Sequence, residues 1–524
     1  MFELLDKRLT GLDRSGSRLQ LGGGRKGIEK ESLRISSDGA IAQTSHFPEL
    51  GSALTNRFIT TDYSEALLEF ITPPFAGAWE TVQFLCDIHQ FVYRNISDEL
   101  LWVTSMPCTV TGEENIPVAR YGDSNVGRMK HVYRLGLGHR YGRVMQTISG
   151  VHFNYSVPAG LWPVLQDLAG NREASVDFVS ESYFGMLRNF RRNAWLILYL
   201  FGASPALCKS FLGDGSVDLD ELDGGTAYRP FATTFRMSEL GYKNKNQSAL
   251  ETSLNSMDEY IHDLTRAMHT SVPEYEQIGR LVDGEYRQLG TGLLQIENEY
   301  YGLIRPKRVA RSGESPMHAL RRGGVEYVEV RALDVNVFDP VGLHRSQVCF
   351  MEAFLLFCLF DDSPHLESND LEELDYNHSI VAQEGRRPGL MLRWHGQEHR
   401  LDGLARNILE GMRGICDMLD EGEQAGPYVA ALDEHLEFVI DADRTPSARI
   451  LTELRNEKES FFAFGMRMAN EHREYFEGLV AVNEQRLKEF EIEAAESLFR
   501  QKEIERTDSI SFEQYLQNYY SQAI

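Results

Sequence analysis

The sequence predicts an α+β protein: a mainly antiparallel sheet in the larger N-terminal part of the chain, surrounded by helices, and a helical C-terminal region. Two observations carry this. Four segments between residues 28 and 333 alternate with period two. From about residue 370 onward the chain turns polar and helix-like, and Phe461 to Ile504 is rich in Glu, Arg, Ala and Leu with few helix breakers, as long amphipathic helices require.

The four alternating segments define faces. In Ile28–Ile35, Glu29, Glu31 and Leu33 fall on one side of an extended strand. In Leu67–Ile71, Leu67, Glu69 and Ile71 share a side while Leu68 and Phe70 point the other way. In Val151–Val157, Val151, Phe153, Tyr155 and Val157 form an apolar face opposite His152, Asn154 and Ser156. In Val325–Leu333, Tyr327, Glu329, Arg331 and Leu333 share a face. Such alternation describes a half-buried antiparallel sheet with one face on a core. Its polar face carries carboxylates, an imidazole and a guanidinium, not the Lys/Thr/Gln mixture of a plain solvated surface.

A length of 524 residues is ample for a large core, and a soft boundary falls near residue 375. Residues 1–375 form the expected catalytic region; 376–524 form either a second, mainly helical unit or helices packed onto one large domain. The formal net charge of −25 argues against nucleic acid and anionic membrane surfaces as partners. The longest apolar runs, Ala194–Phe201 and Ala353–Phe360, are far below the roughly 20 residues of a membrane span. The six cysteines are scattered without a CxxC pair, which fits neither a zinc knuckle nor a disulfide framework and points to a reducing cytoplasm. Cys108 reads as a packed, redox-idle thiol.

Each chemical candidate has a plain alternative. Glu29 and Glu31, two residues apart on a strand, are either a solvated face or oxygen ligands for a hard cation such as Mg²⁺. Glu69 sits among apolar neighbours and needs a cation, a donor or water; it and Asp62 read equally as structural ion pairs or as metal ligands. His152 is a hydrogen-bonded core histidine or a ligand, with Asn154 beside it on the same face. Glu329 and Arg331 either neutralise each other or divide the labour, the acid taking a cation and the guanidinium gripping a carboxylate. Arg305, Lys307, Arg308 and Arg311 concentrate positive charge in an acidic chain, as an exposed basic loop or as a phosphate-binding segment. The run Gly22-Gly23-Gly24-Arg25-Lys26-Gly27 lacks phosphate-loop spacing and reads as a mobile lead-in.

Taken in order, several strings resemble bacterial glutamate–cysteine ligases of the proteobacterial type 1 branch. They are Gly27-Ile28-Glu29-Lys30-Glu31-Ser32-Leu33-Arg34, the stretch Ile59 to Pro73, Met145 to His152, Tyr199 to Ala206, Leu240-Gly241-Tyr242, Gln295 to Glu299, Ile304 to Pro316 and Gly324 to Arg331. The resemblance covers roughly residues 25 to 345. It implies a curved antiparallel sheet shaped as a funnel, similar to glutamine synthetase, whose inner face holds Mg²⁺ ions and substrates. Position by position it implies Glu29, Glu31, Asp62, Glu69, His152 and Glu329 as metal ligands, with more than one Mg²⁺ ion and Mn²⁺ as a substitute. Tyr133, Arg134, Asn154, Arg236, Tyr242 and Arg331 become substrate-binding positions, with Arg236 and Arg331 catalytic and Arg331 clamping the glutamate carboxylate. Arg305, Lys307, Arg308 and Arg311 are expected from their charge, beside that resemblance, to meet the ATP phosphates. The implied reaction uses ATP to join the γ-carboxylate of glutamate to the amine of cysteine, in the first step of glutathione biosynthesis, with no nucleic-acid or membrane partner and as a monomer or weak oligomer. The sequence departs from the family at Lys26, where an arginine is usual, and assigns Cys108 no partner for the regulatory disulfide sometimes found there.

Overall fold

In the computed structural model, residues 2–213, 217–241, 250, 252–311, 313–421, 425–479 and 483–522 are described. Alternation becomes strand wherever it was strong. The main sheet contains β1 (Arg25–Ile35), β2 (Ile59–Thr61), β3 (Leu67–Ile71), β4 (Leu100–Leu101), β5 (Gly150–Ser156), β6 (Ile304–Lys307) and β7 (Tyr327–Asp334). Its order is β6-β7-β5-β1-β3-β2, with β4 extending the far end of β1. All pairings within it are antiparallel. Pro306 lies in the edge strand β6, where a residue without an N–H is tolerated.

One face of the sheet is core. Ile28, Leu68, Phe70, Val151, Phe153, Tyr155, Val328 and Val330 are fully or almost fully buried in a single apolar cluster. The helices that cover this face include α1 (Ala78–Tyr93), α3 (Ser175–Phe201) and α4 (Arg345–Phe360), with α2 (Asn125–Tyr141) elsewhere, beside the polar face. The two longest apolar runs of the sequence are the buried ends of α3 and α4. These helices are apolar nearly all round at those ends because they are enclosed by protein, not by lipid. Among the described residues no helix is long and apolar enough to cross a membrane.

The polar C-terminal region is helical as expected: α5 (Leu401–Leu419), α6 (Pro427–Ile440), α7 (Phe461–Gly478), α8 (Glu484–Thr507) and α9 (Phe512–Ser521). It also contains a hairpin, Met391–Trp394 with Gln397–Arg400, that the helical reading passed over. His395 and Gly396 form its two-residue loop with φ of 51° and 74°, the left-handed pair that such a tight turn demands. The helix Ser368–Glu384 runs through position 375, and α5, α6 and α8 place side chains in the same apolar cluster as the sheet.

Three expectations change. Leu333 does not share a face with Glu329. A register shift between Val330 and Leu333 sets two residues of β7, Arg331 and Ala332, against His152 alone, so Leu333 pairs with Val151 on the core side. Gly24 is not part of a mobile lead-in: it is buried, and a Cβ there would lie 2.5 Å from the Tyr155 hydroxyl and 2.7 Å from Glu352 Oε1. Cys108 is not an isolated thiol. Its sulfur is in bonding contact with that of Cys208, the Cα atoms being 5.3 Å apart, a partner 100 residues away that sequence spacing could not single out.

Candidate active site

The sheet register explains why scattered acids meet. Glu29 stands opposite His152, Glu31 opposite Glu69, and Glu329 opposite both Asn154 and Arg305 on its two neighbouring strands. Directly paired residues project to the same side, so all of these point away from the core. All of them except Asn154 line the floor of a cavity of about 860 Å³.

His152 is the hub. Its Nδ1 lies 3.3 Å from Glu29 Oε2 and 3.7 Å from Glu329 Oε1, and its Nε2 lies 3.6 Å from Glu31 Oε1. Glu29 also accepts from Asn154 Nδ2 at 2.8 Å, and Glu31 from the Gly150 N–H at 2.6 Å. Ligand atoms of Glu29, His152 and Glu329 come within 4.8 Å of one another, a spacing that fits one metal ion.

The protonation pattern shows the strain of this crowding. Burial, followed by repulsion from Glu29, Asp62, Glu31 and Glu329, pushes the Glu69 carboxyl well above its ordinary value. Burial also raises Glu31, against the pull of His152. Burial opposes ionisation of Glu329, yet Lys307, Arg331 and His152 together hold its carboxyl below the ordinary range. For Glu29 burial is likewise the largest influence, and the His152 hydrogen bond helps bring the net shift downward. An acidic floor with raised members is what a bound cation would relieve, and mainly oxygen donors with one imidazole suit a divalent ion.

Cations surround the acids. Lys307 Nζ is 3.2 Å from Glu329 Oε2. Arg331 Nε lies 3.5 Å from His152 Nε2, and its guanidinium sits 5.1 Å from the centre of the Tyr301 ring. Alternation in β7 puts Arg331 on the same side as Glu329, and the bulge that follows leaves both Arg331 and Ala332 opposite His152. Arg236 is buried; it donates to the Arg331 carbonyl at 2.9 Å and lies 3.8 Å from Asp334, so it supports the bulge as well as lining the cavity. Arg134 donates through Nε to the Asp62 carbonyl and faces the Asp62 carboxylate at 3.8 Å.

Most sequence-predicted positions therefore converge. Glu29, Glu31, Asp62, Glu69, His152, Glu329, Tyr133, Arg134, Arg236, Arg305, Lys307 and Arg331 line one cavity. Asn154 is held beneath it on Glu29. Arg308 and Arg311 are not among the lining side chains: Arg308 donates to the Gly324 carbonyl and faces Glu326 at 3.6 Å, while Arg311 is exposed. Tyr242 lies outside the described residues.

The cavity also includes residues that the sequence did not single out. Lys130 lies one helical turn from Arg134 on α2, and burial lowers its amine to about 8. Arg140 forms a fully buried pair with Glu299 at 2.9 Å, and Tyr141 also donates to Glu299. The i, i+4 spacing of Lys130 and Arg134 was the available signal; the Arg140–Glu299 pair joins distant segments and left none.

A family model described as glutamate–cysteine ligase matches residues 9–381. A glutamate–cysteine ligase of Alcanivorax borkumensis is 47% identical over 98% of this chain and 99% of its own length. One from Pseudomonas putida is 46% identical over 99% of this chain and 98% of its own. The crystal structure of glutamate–cysteine ligase from Francisella tularensis, in complex with AMP, superposes with a TM-score of 0.89 at 34% identity, over 95% of this chain and 98% of that one. A bifunctional glutathione synthetase from Pasteurella multocida shares the fold, with a TM-score of 0.71 at 23% identity, over 90% of this chain and 55% of that one. An open antiparallel sheet whose polar face gathers acids and cations, in a chain this similar along its whole length to such enzymes, belongs to the glutamate–cysteine ligase family.

Proposed function

We propose that this protein uses ATP to join the γ-carboxylate of L-glutamate to the amine of L-cysteine, giving γ-glutamylcysteine, ADP and phosphate, the first step of glutathione biosynthesis. The observation that carries the reading is the side-by-side placement of an acidic, cation-ready floor and of Arg305, Lys307 and Arg331 on adjacent strands of one face.

A carboxylate is a poor acyl donor until one of its oxygens is phosphorylated. The γ-phosphoryl group of ATP passes to the glutamate γ-carboxylate, releasing ADP. The cysteine nitrogen then attacks the carbonyl carbon of the phosphorylated γ-carboxyl group, a C–N bond forms there, the C–O bond to phosphate breaks, and the amine proton is given up. Charge grows on phosphoryl oxygens in both steps, so positioning and electrostatic stabilisation supply the catalysis.

Glu29, Glu31, Asp62, Glu69, His152 and Glu329 are the residues we assign to Mg²⁺, with more than one ion and with Mn²⁺ as a substitute. When bound, these ions would neutralise phosphoryl charge and align the phosphates. Arg331 grips the glutamate carboxylate in a two-pronged geometry that lysine cannot copy. Arg236 holds that arginine's backbone and contributes positive potential. Tyr133, Arg134 and Tyr242 contact substrate, and Asn154 fixes the Glu29 carboxylate. Arg305 and Lys307 face the phosphates, with Arg308 and Arg311 adding positive potential from the rim. Residues 1–375 carry this chemistry, and 376–524 form a helical part that packs around it. We place the protein in the cytoplasm, as a monomer or weak oligomer.

The test mixes the purified protein with ATP, Mg²⁺ and glutamate, with and without cysteine, and follows ADP while weighing the product. Cysteine-dependent ADP with the mass of γ-glutamylcysteine is expected. Turnover with another amine but not with cysteine would keep the ligation and overturn the acceptor; no ADP with any acceptor from folded protein would overturn the enzyme.

A further inference from the structure

Arg236 stands in a segment with no ladder of its own. Residues 229–241 run through turns and bends, and their one β-bridge among the described residues, Thr234 to Ser204, is isolated. Yet Ala232 to Ser238 are buried. Buried main-chain groups outside helix and sheet need other partners. One set comes from Ser204 and Asp334. The Phe235 N–H donates to the Ser204 carbonyl at 2.7 Å and the Arg236 N–H to Ser204 Oγ at 3.3 Å. The Asp334 carboxylate accepts from Ser204 Oγ at 2.6 Å and from Thr234 Oγ1 at 3.1 Å.

A second set comes from the end of the helix Ser368–Glu384 and the turn after it. The Val381 carbonyl accepts from Thr233 Oγ1 at 2.9 Å, and the Ala382 carbonyl accepts the Thr233 and Thr234 N–H groups at 3.0 and 3.2 Å. His378 Nε2 donates to the Met237 carbonyl at 2.8 Å. Gly385 allows the close approach, since a Cβ there would lie 2.8 Å from the Thr233 methyl carbon. Arg386, beyond the 9–381 span matched by the family model, completes the set. Its Nη2 donates to the Pro230 carbonyl at 2.7 Å, and its Nη2 and Nε to the Ala232 carbonyl at 3.2 and 3.3 Å. Its own N–H donates to the Phe231 carbonyl at 3.1 Å.

A buried guanidinium is costly unless its donors are satisfied. Arg386 is 8% exposed, and burial lowers it to about 10 against the pull of Asp443. Among the described residues its side-chain hydrogen bonds go to main-chain carbonyls and not to a carboxylate. Arg386 does not line the reaction cavity. What this desolvated charge does is fix the peptide groups of Pro230 to Ala232, four to six residues before Arg236. Arg236 passes the placement on, because it lines the cavity and donates to the Arg331 carbonyl. We propose that Arg386 is a positioning residue for the ligation, acting through Arg236 with His378 as its helper. This rests on the reading of the cavity as the ATP-dependent ligase site.

The experiment is a double-mutant cycle on the full chain, read as kcat/KM for glutamate from ADP formation, with hydrogen exchange of residues 230–238 as a second measure. Arg386→Met is expected to lower kcat/KM for glutamate about 10- to 100-fold, the scale on which a small misplacement of a reacting group acts, with KM for ATP within about threefold. In an Arg236→Met background the same change is expected to cost less than about twofold, because the side chain it acts through is already gone. Arg386→Lys keeps the charge and loses the planar fork, so it should fall between wild type and Arg386→Met; it carries the cycle should Arg386→Met not fold. Exchange at 230–238 should quicken in both Arg386 variants while β1 and β5 stay protected. Equal fold-losses in the two backgrounds, or a parallel rise in all three KM values, overturn the positioning role and leave the ligase intact. Unchanged exchange and activity in both Arg386 variants overturn it as well. A folded wild type that forms no ADP with any acceptor overturns the ligase reading and the role of Arg386 with it.

Discussion

Glu31 and Glu69 face each other directly across β1 and β3, both on the polar side of the sheet. Like charges in such a register oppose strand pairing. The structure answers part of this by raising both carboxyls, through burial first. A bound cation would answer the rest, displacing the protons and turning repulsion into coordination.

The sign of that balance can be measured. A carboxyl raised in the folded state binds protons more tightly there than in the unfolded chain. Its penalty is absent below the ordinary glutamate value of 4.5 and grows as pH rises toward the folded value. With chelator present, wild type should therefore lose thermal stability relative to Glu69→Gln as pH rises above 4.5. Mg²⁺ should reverse the order by stabilising wild type more. Equal melting curves at every pH, with and without Mg²⁺, would remove Glu69 from the metal site.

Glu29 tests the metal assignment through activity. Glu29→Gln keeps size and the Asn154 contact but loses the charge beside His152. The Mg²⁺ concentration giving half-maximal ADP formation should rise about 10- to 100-fold, in the range seen when a metal site loses supporting charge or contacts. An unchanged Mg²⁺ titration would exclude the role.

Arg331 tests the glutamate contact. Arg331→Lys keeps the positive charge and loses the planar fork. We expect kcat/KM for glutamate to fall about 10- to 100-fold, a loss of roughly 1.5–3 kcal/mol typical of a charge-assisted contact, with KM for ATP nearly constant. A change confined to ATP would move Arg331 from the glutamate to the phosphates.

How much of this was legible follows from the physics of each element. Period-two alternation exposed β1, β3, β5 and β7 and the polar side of each, because burying one face of a strand writes itself into every second residue. The meeting of Glu29 with His152 was legible only through resemblance, since strand order is not encoded locally. The bulge at Arg331 and Ala332 was invisible: it interrupts the alternation by one residue, and Leu333 is as apolar on the correct face as on the assumed one. Arg308 and Arg311 were drawn into the phosphate set by charge alone, which sequence cannot divide into inward and outward. Tyr515 and Tyr519 line the cavity from α9, a short helix whose aromatic face reads like ordinary core until the cavity beside it is seen.

Lys26 offers a test of the scaffold apart from the chemistry. Its Nζ is 2.5 Å from Glu352 Oε2 with both side chains essentially sealed from water, and the Tyr428 hydroxyl donates to the same oxygen at 2.6 Å. Removing one partner of a buried pair strands the other. Lys26→Met should cost about 3–5 kcal/mol in unfolding free energy, whereas Lys26→Met/Glu352→Leu should recover a substantial part of it. Chemical denaturation of the two variants distinguishes them; equal losses would show that the pair itself contributes little.

The cationic segment gives the sharpest division between residues that look alike in sequence. Lys307 and Arg311 are four positions apart, both basic, both in the stretch expected to meet phosphates. Lys307 lines the cavity with its amine 3.2 Å from Glu329, while Arg311 is exposed beyond the end of β6. A charge in the partly enclosed site acts through a lower effective dielectric than one in open solvent, where salt also screens it. Lys307→Ala should accordingly raise KM for ATP about tenfold or more at physiological ionic strength and change the Mg²⁺ dependence, because it also leaves Glu329 without its nearest cation. Arg311→Ala should shift KM for ATP by less than about threefold, with the shift shrinking as salt is added. If Arg311→Ala proved as damaging as Lys307→Ala at high salt, the exposed arginine would have to fold inward over bound nucleotide, and the phosphate set would extend along the whole segment after β6.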